Sequence, residues 1–175
     1  MLTQVIVLNG GSSSGKSTIA RALQDRLPEP WLSLSVDMLV EAMPGEGIAI
    51  SEDGDVTPDD TFGRLERAWM TGVAAMVRAG AKVIIDDVFL SGRESQDRWR
   101  QALAGLAVLW VGVHCDAVTA EARELARGDR IAGMAAKQAE TVHDGVHYDL
   151  EVDTTDTDAT TCAELITARL VTQPK

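Results

Sequence analysis

The chemistry-bearing feature of this sequence is a short run near its start. Gly10, Gly11, Ser12, Ser13, Ser14, Gly15, Lys16 and Ser17, followed by Thr18, have the spacing G-x-x-x-x-G-K-[ST]. That spacing suits a loop wrapped around phosphate oxygens. Glycines let successive backbone N–H groups turn inward, and a helix that starts at the loop's end adds its positive dipole end. Lys16 would meet the β- and γ-phosphates of a nucleotide, and Ser17 would hold Mg²⁺. The competing reading is a serine-rich turn before an ordinary helix. The flanks decide against it, because "QVIVL" at 4–8 reads as a buried strand and a helix is expected from Lys16 to before Pro28.

Three further sets of residues could act beside such a loop. Asp86 and Asp87 end the apolar run "VIIDDVF", where a carboxylate can order the magnesium shell. Neighbouring strand side chains point to opposite faces, so one of the two faces the loop, and we favour Asp87. Asp37 ends the run "WLSLSV". It suits either a base that aligns an acceptor hydroxyl or the N-cap of a helix starting near Met38. Arg123, Arg127 and Arg130 lie in "RELARGDR", where guanidinium groups could stabilise a transferring phosphoryl group, or else sit on a solvated helix end. Gly128 and Gly133 would let a lid move there.

The stretch from Leu27 to Gly63 has no Lys or Arg and many carboxylates. Acceptors that carry phosphate or carboxylate are usually held by arginine forks, so a neutral or cationic alcohol fits this stretch better. Met38, Leu39, Met43, Ile48, Trp69 and Phe89 could form an apolar wall for it, or could simply be core; for Trp69 core packing is the better reading.

The elements that must position these residues alternate. Strands are expected at 4–8, 31–36, 81–89, 107–115 and 148–154. Helices are expected from Lys16 and over 38–43, 62–77, 93–103, 117–127, 134–142 and the final segment around 162–170. Residues 44–60 read as a loop. Strands that alternate with helices imply an α/β fold of three layers, αβα, with a mostly five-stranded parallel sheet. Ligands bind such sheets beyond the carboxyl ends of the strands, which is where the loop, Asp37 and Asp86–Asp87 fall. No boundary divides residues 1–175, so one domain is expected.

Composition narrows the class. The chain has 175 residues, 45% hydrophobic and 25% charged, a net charge of -11 and a pI near 4.6. This acidity argues against a general nucleic-acid or anionic-membrane surface. No signal-like or membrane-spanning run is visible, and Cys115 and Cys162 form no paired motif, so a reduced cytoplasmic setting is expected. His143 and His147 have zinc-like spacing, but Gly145 between them weakens a helix, and metal binding there is not expected. A GTPase would carry an N/T-K-x-D base-reading motif, and none is present.

The sequence resembles the chloramphenicol phosphotransferase family through most of its length. The resemblance rests on "LNGGSSSGKS", "LPEPW", "VDMLVEAMP", "VIIDDVF", "VLWVGVHCD", "ARGDRIAGMAAKQA" and "YDLEVDTT". It implies a nucleotide-kinase-like fold and ATP- and Mg²⁺-dependent phosphorylation of the primary hydroxyl of chloramphenicol, giving resistance or self-protection. It implies Asp37 as the base, with Arg127 and Arg130 closing over the nucleotide phosphates. About 38–70 would border the acceptor and about 127–137 would form the lid-like segment. Residues 45–61 look shorter and more variable than the family's stretch. The rivals are a kinase of another alcohol, such as a cationic aminoglycoside, and a nucleotide-dependent switch without an acceptor.

Overall fold

The computed structural model describes residues 2–43, 48–50, 56–127 and 134–171; for 48–50, 56, 58, 127 and 171 it describes the backbone alone. Five parallel strands form the central sheet: β1 (Val5–Asn9), β2 (Leu32–Ser35), β5 (Val83–Asp87), β6 (Val108–His114) and β7 (Leu150–Asp153). Their order is β2-β5-β1-β6-β7. The helices are α1 (Lys16–Arg26), α2 (Val36–Ala42), α3 (Asp60–Arg78), α4 (Arg93–Ala102), α5 (Ala117–Arg127), α6 (Met134–Thr141) and α7 (Ala159–Val171). The αβα expectation is met, with β1 at the centre. Among the described residues, no helix is long and apolar enough to cross a membrane.

Alternation along the strands sorts the core into two layers. Ile6, Leu8, Ile84, Leu109 and Val111 pack with Ile19 and Leu23 of α1 and with Cys162 and Ile166 of α7. Val5, Val7, Val83 and Ile85 pack on the other face with Met70, Val73 and Val77 of α3 and Trp99 of α4. Both faces are covered, which is why the inner strands read as continuous apolar runs rather than alternating ones. On α3 the buried stripe includes Phe62, Met70, Val73 and Val77, while Met76 is exposed. Trp69 packs against the second layer, as core.

The register aligns the carboxyl ends of the strands. Asn9 lies opposite Asp87 and Gly112, and Ser35 lies opposite Asp86. Two local expectations change. The segment read as a loop contains a small antiparallel pair, β3 (Ile48–Ile50) and β4 (Val56–Pro58). Strands of three residues are too short to show a period, and the acidic residues and glycines around them mask the pairing. In addition, α2 starts at Val36, and its N-cap is Ser35, whose hydroxyl accepts from Met38 N at 3.3 Å. Asp37 therefore stands in the first turn of α2 and is not its cap.

The α1-facing layer rests on β5 through Ile84, which is fully buried. Ile84→Ala is expected to lower unfolding free energy by about 2–5 kcal/mol in urea titration. A loss below about 1 kcal/mol would show that the layer repacks without it.

Candidate active site

The loop between β1 and α1 is shaped by contacts that only its own residue types permit. Gly10 is buried, and a Cβ there would sit 2.4 Å from the Val113 carbonyl oxygen. Gly15 adopts φ 89°, and Ser13 adopts φ 58°, a left-handed conformation that costs a non-glycine residue energy. Buried Ser13 Oγ has no hydrogen-bond partner. Such strain, held by the surroundings, is common where backbone must present itself to a ligand.

Inside the loop, buried Lys16 donates from Nζ to Gly11 O at 2.8 Å and to Ser14 Oγ at 3.5 Å. Its ammonium lies 3.9 Å from Asp86 Oδ1. Ser17 Oγ donates to Asp86 Oδ2 at 2.6 Å. A lysine, a hydroxyl and a carboxylate thus meet at the loop's helix end.

Asp87 is placed elsewhere, which corrects the expectation that it is the carboxylate beside Ser17. It shares the parity of Val83 and Ile85 and so points into the α3–α4 layer, whereas Asp86 shares the parity of Ile84 and points towards α1. Asp87 accepts from Trp99 Nε1 and from Val88 N. Burial pushes its carboxyl up to about 7, with Glu66 and Asp86 adding to the rise and those two hydrogen bonds opposing it. Turned away from Ser17 and bonded to Trp99 and Val88 N, it is not placed to share a cation with that hydroxyl.

The loop is also held from outside, by Asn9, Thr154 and Gln138, which no sequence motif marks, and by Arg123, which the sequence offers as a candidate beside the transferring phosphoryl group. Asn9 is fully buried: its Oδ1 accepts from Phe89 N at 2.9 Å, and its Nδ2 donates to Val142 O at 2.8 Å and Tyr148 Oη at 2.6 Å. Thr154 Oγ1 donates to Ser14 O at 2.8 Å. Arg123 supports it, donating to Thr154 Oγ1 at 3.1 Å and Thr154 O at 2.7 Å. Arg123 is therefore part of the loop's support. Gln138 Oε1 accepts from Ser12 N at 2.9 Å. The side chain of Arg127 and the whole of Arg130 lie outside the described residues.

A titratable chain adjoins the loop. His143 Nδ1 shares a 2.6 Å hydrogen bond with Tyr148 Oη, and its ring stacks on His114 at 4.0 Å between centroids. His114 in turn meets Glu151 at 2.7 Å. Burial holds the His143 imidazole down to about 4, helped by the charges of His114 and Lys16 and opposed by Glu151 and Asp144. Burial also pushes the Tyr148 phenol up. His147 meets the Gln96 side chain through its backbone, in a two-way bond.

The sign of the His143 effect follows from its two states. An unfolded imidazole takes a proton near pH 6.5, and the folded one resists until about pH 4. The unfolded chain binds more protons between these values, so His143 makes stability fall as pH drops through that window. The stability difference between wild type and His143→Asn should shrink from pH 6.5 to pH 4 and stay flat above neutrality. A difference independent of pH would contradict the burial of a neutral ring.

Comparison with known proteins gives the family and the fold. The chain matches the family of chloramphenicol phosphotransferase-like proteins over residues 3–171. A provisionally assigned O-phosphotransferase of Mycobacterium tuberculosis (strain H37Rv) is 33% identical over 172 residues, covering 88% of this chain and 76% of the relative. A sugar kinase from a Janibacter species superposes with a TM-score of 0.72 at 19% identity, covering 98% of this chain and 96% of that one. The APS kinase CysC of Mycobacterium tuberculosis, in complex with AMPPNP and APS, gives 0.67 at 14% identity, with 98% and 99% covered. Shikimate kinase from Acinetobacter baumannii gives 0.64 at 14% identity, with 97% and 93% covered. At these identities the structures speak for the fold, that of a P-loop kinase. The chain is a phosphotransferase and belongs to the chloramphenicol phosphotransferase-like family.

Proposed function

We propose that this protein transfers the γ-phosphoryl group of ATP to a hydroxyl of a small neutral antibiotic, the primary hydroxyl of chloramphenicol. The observation that carries the nucleotide half is the meeting of Lys16, Ser17 and Asp86 inside the loop. Hydroxyl and carboxylate oxygens side by side are the hard donors that Mg²⁺ prefers, and kinases complete its shell with phosphate oxygens and water. Ser17 and Asp86 would hold the ion. Bound there with the nucleotide, it would supply charge neutralisation at the β- and γ-phosphates. Lys16 would bind the same phosphates, and backbone N–H groups of Gly10–Thr18 would cradle them, that of Ser12 excepted, since Gln138 holds it.

The acceptor half rests on Asp37 and its surroundings. Asp37 is exposed in the first turn of α2, two residues beyond Ser35, which pairs with Asp86 on the next strand. A carboxylate at that place would orient an incoming hydroxyl and take its proton. Met38 and Val40 of α2 and Leu90 after β5 are large apolar side chains left exposed near the strand ends. They suit the apolar body of an uncharged acceptor, whereas Leu39 and Phe89 are buried in the core. The absence of Lys and Arg between Leu27 and Gly63 points the same way. In this reading residues of about 38–70 border the acceptor. Arg127 and Arg130, within a lid-like segment of about 127–137, stabilise the transferring group, and the protein acts in the cytoplasm to confer resistance or self-protection.

A set of alcohols incubated with Mg-ATP and read by mass spectrometry tests this directly. Chloramphenicol should gain one phosphoryl group. Selective phosphorylation of an aminoglycoside would overturn the acceptor assignment, and complete ATP hydrolysis without any alcohol would overturn the kinase reading. Asp37→Asn should lower turnover by roughly 10²–10⁴-fold while ATP still binds. Unchanged turnover would remove Asp37 from the role of base.

A further inference from the structure

One peptide unit of the phosphate loop is gripped from both sides. The carbonyl of Gly11 accepts from Lys16 Nζ at 2.8 Å. The N–H of the same peptide, on Ser12, donates to Gln138 Oε1 at 2.9 Å. Ser14 N also donates to Gly11 O, at 3.3 Å. In a trans peptide the carbonyl and the N–H point in opposite directions, so Lys16 and Ser14 hold one side of the plane and Gln138 the other. Gln138 is 8% exposed and comes from α6, far along the chain. Its backbone and Cβ pack so closely on Gly11 that a Cβ there would sit 3.1 Å from the Gln138 carbonyl carbon.

This peptide can turn unless it is braced. It follows two consecutive glycines, which cross φ/ψ barriers that side chains forbid. Rotated by half a turn, it would aim its N–H dipole at the Lys16 ammonium and its carbonyl at the Gln138 oxygen. The contact with the ammonium would then be repulsive, Gln138 would have to turn its amide over to stay bonded, and Lys16 would lose the anchor that aims it into the loop.

We propose that Gln138 is a positioning residue for phosphate binding: it fixes the Gly11–Ser12 peptide so that Gly11 O anchors Lys16. The inference rests on the reading of Gly10–Thr18 as the nucleotide site and assigns a role to a residue whose hydrogen bond goes to Ser12 N rather than to the lysine. Gln138 acts through one hydrogen bond at the back of the loop, so its effect runs through Lys16.

A double-mutant cycle on Mg-ATP affinity, measured by calorimetry, isolates that dependence. Gln138→Met conserves volume but cannot accept as an amide oxygen does. It should weaken binding roughly three- to tenfold, the worth of one hydrogen bond. Gln138→Asn keeps the amide but falls one methylene short, and should weaken it equally. In a Lys16→Ala background, Gln138→Met should cost less than about twofold further, because the anchor has no lysine to hold. Wild-type affinity in both Gln138 variants, or an equal additional loss in the Lys16→Ala background, would overturn the proposal. Lys16→Ala binding Mg-ATP as wild type does would overturn the nucleotide-site reading, and this inference with it.

Discussion

The two-residue period of side chains on β5 governs this site. It sends Ile84 and Asp86 towards α1 and Val83, Ile85 and Asp87 towards α3 and α4. One step of register would exchange the two aspartates and with them the chemistry. As built, Asp86 receives the Ser17 hydroxyl and stands near Lys16, in a place where a cation and phosphates would balance its charge. Asp87, one residue on, is enclosed by Trp99 and the second core layer, where burial favours its neutral form. The same apolar packing that fixes the sheet thus separates the carboxylate proposed as a ligand from a structural one.

The loop needs a rigid frame because its own conformation is costly. Left-handed Ser13 and Gly15 and the crowded Gly10 would not hold their shape in isolation. The frame comes from distant parts of the chain: Asn9 is tied to Val142 and Tyr148, Ser14 to Thr154, and Ser12 to Gln138. Arg123 reinforces Thr154, and Glu124 accepts from Ala135 N, joining the end of α5 to the start of α6. The two helices that bracket residues 128–133 are therefore both linked to the phosphate loop. Preorganised backbone donors are worth most when nothing must rearrange as charge arrives.

Much of this was readable from residue patterns. The strand–loop–helix around Gly10–Ser17 and the alternation of apolar runs with amphipathic helices lead to the parallel sheet and to the end of it where the site lies. What escaped has physical reasons. Periodicity places Asp86 and Asp87 on opposite faces, but only packing says which face α1 covers. Ser35 competes with Asp37 for the α2 cap, and the difference is one of backbone angle, which residue type does not fix. The β3–β4 pair is too short to show a period. Gln138, Thr154 and Asn9 act across more than 120 residues of sequence, and no local spacing marks a polar side chain that bonds to remote backbone.

The central claim is that Asp86 serves the nucleotide and metal while Asp87 serves the fold. Mg-ATP affinity of Asp86→Asn and Asp87→Asn, each measured as a function of magnesium concentration, tests it most directly. Asp86→Asn should bind Mg-ATP at least about tenfold more weakly and lose most of its response to magnesium, as expected when a charged hydrogen-bonded ligand is removed. Asp87→Asn should keep wild-type affinity and magnesium response. The reverse pattern, or equal losses in both variants, would contradict the account.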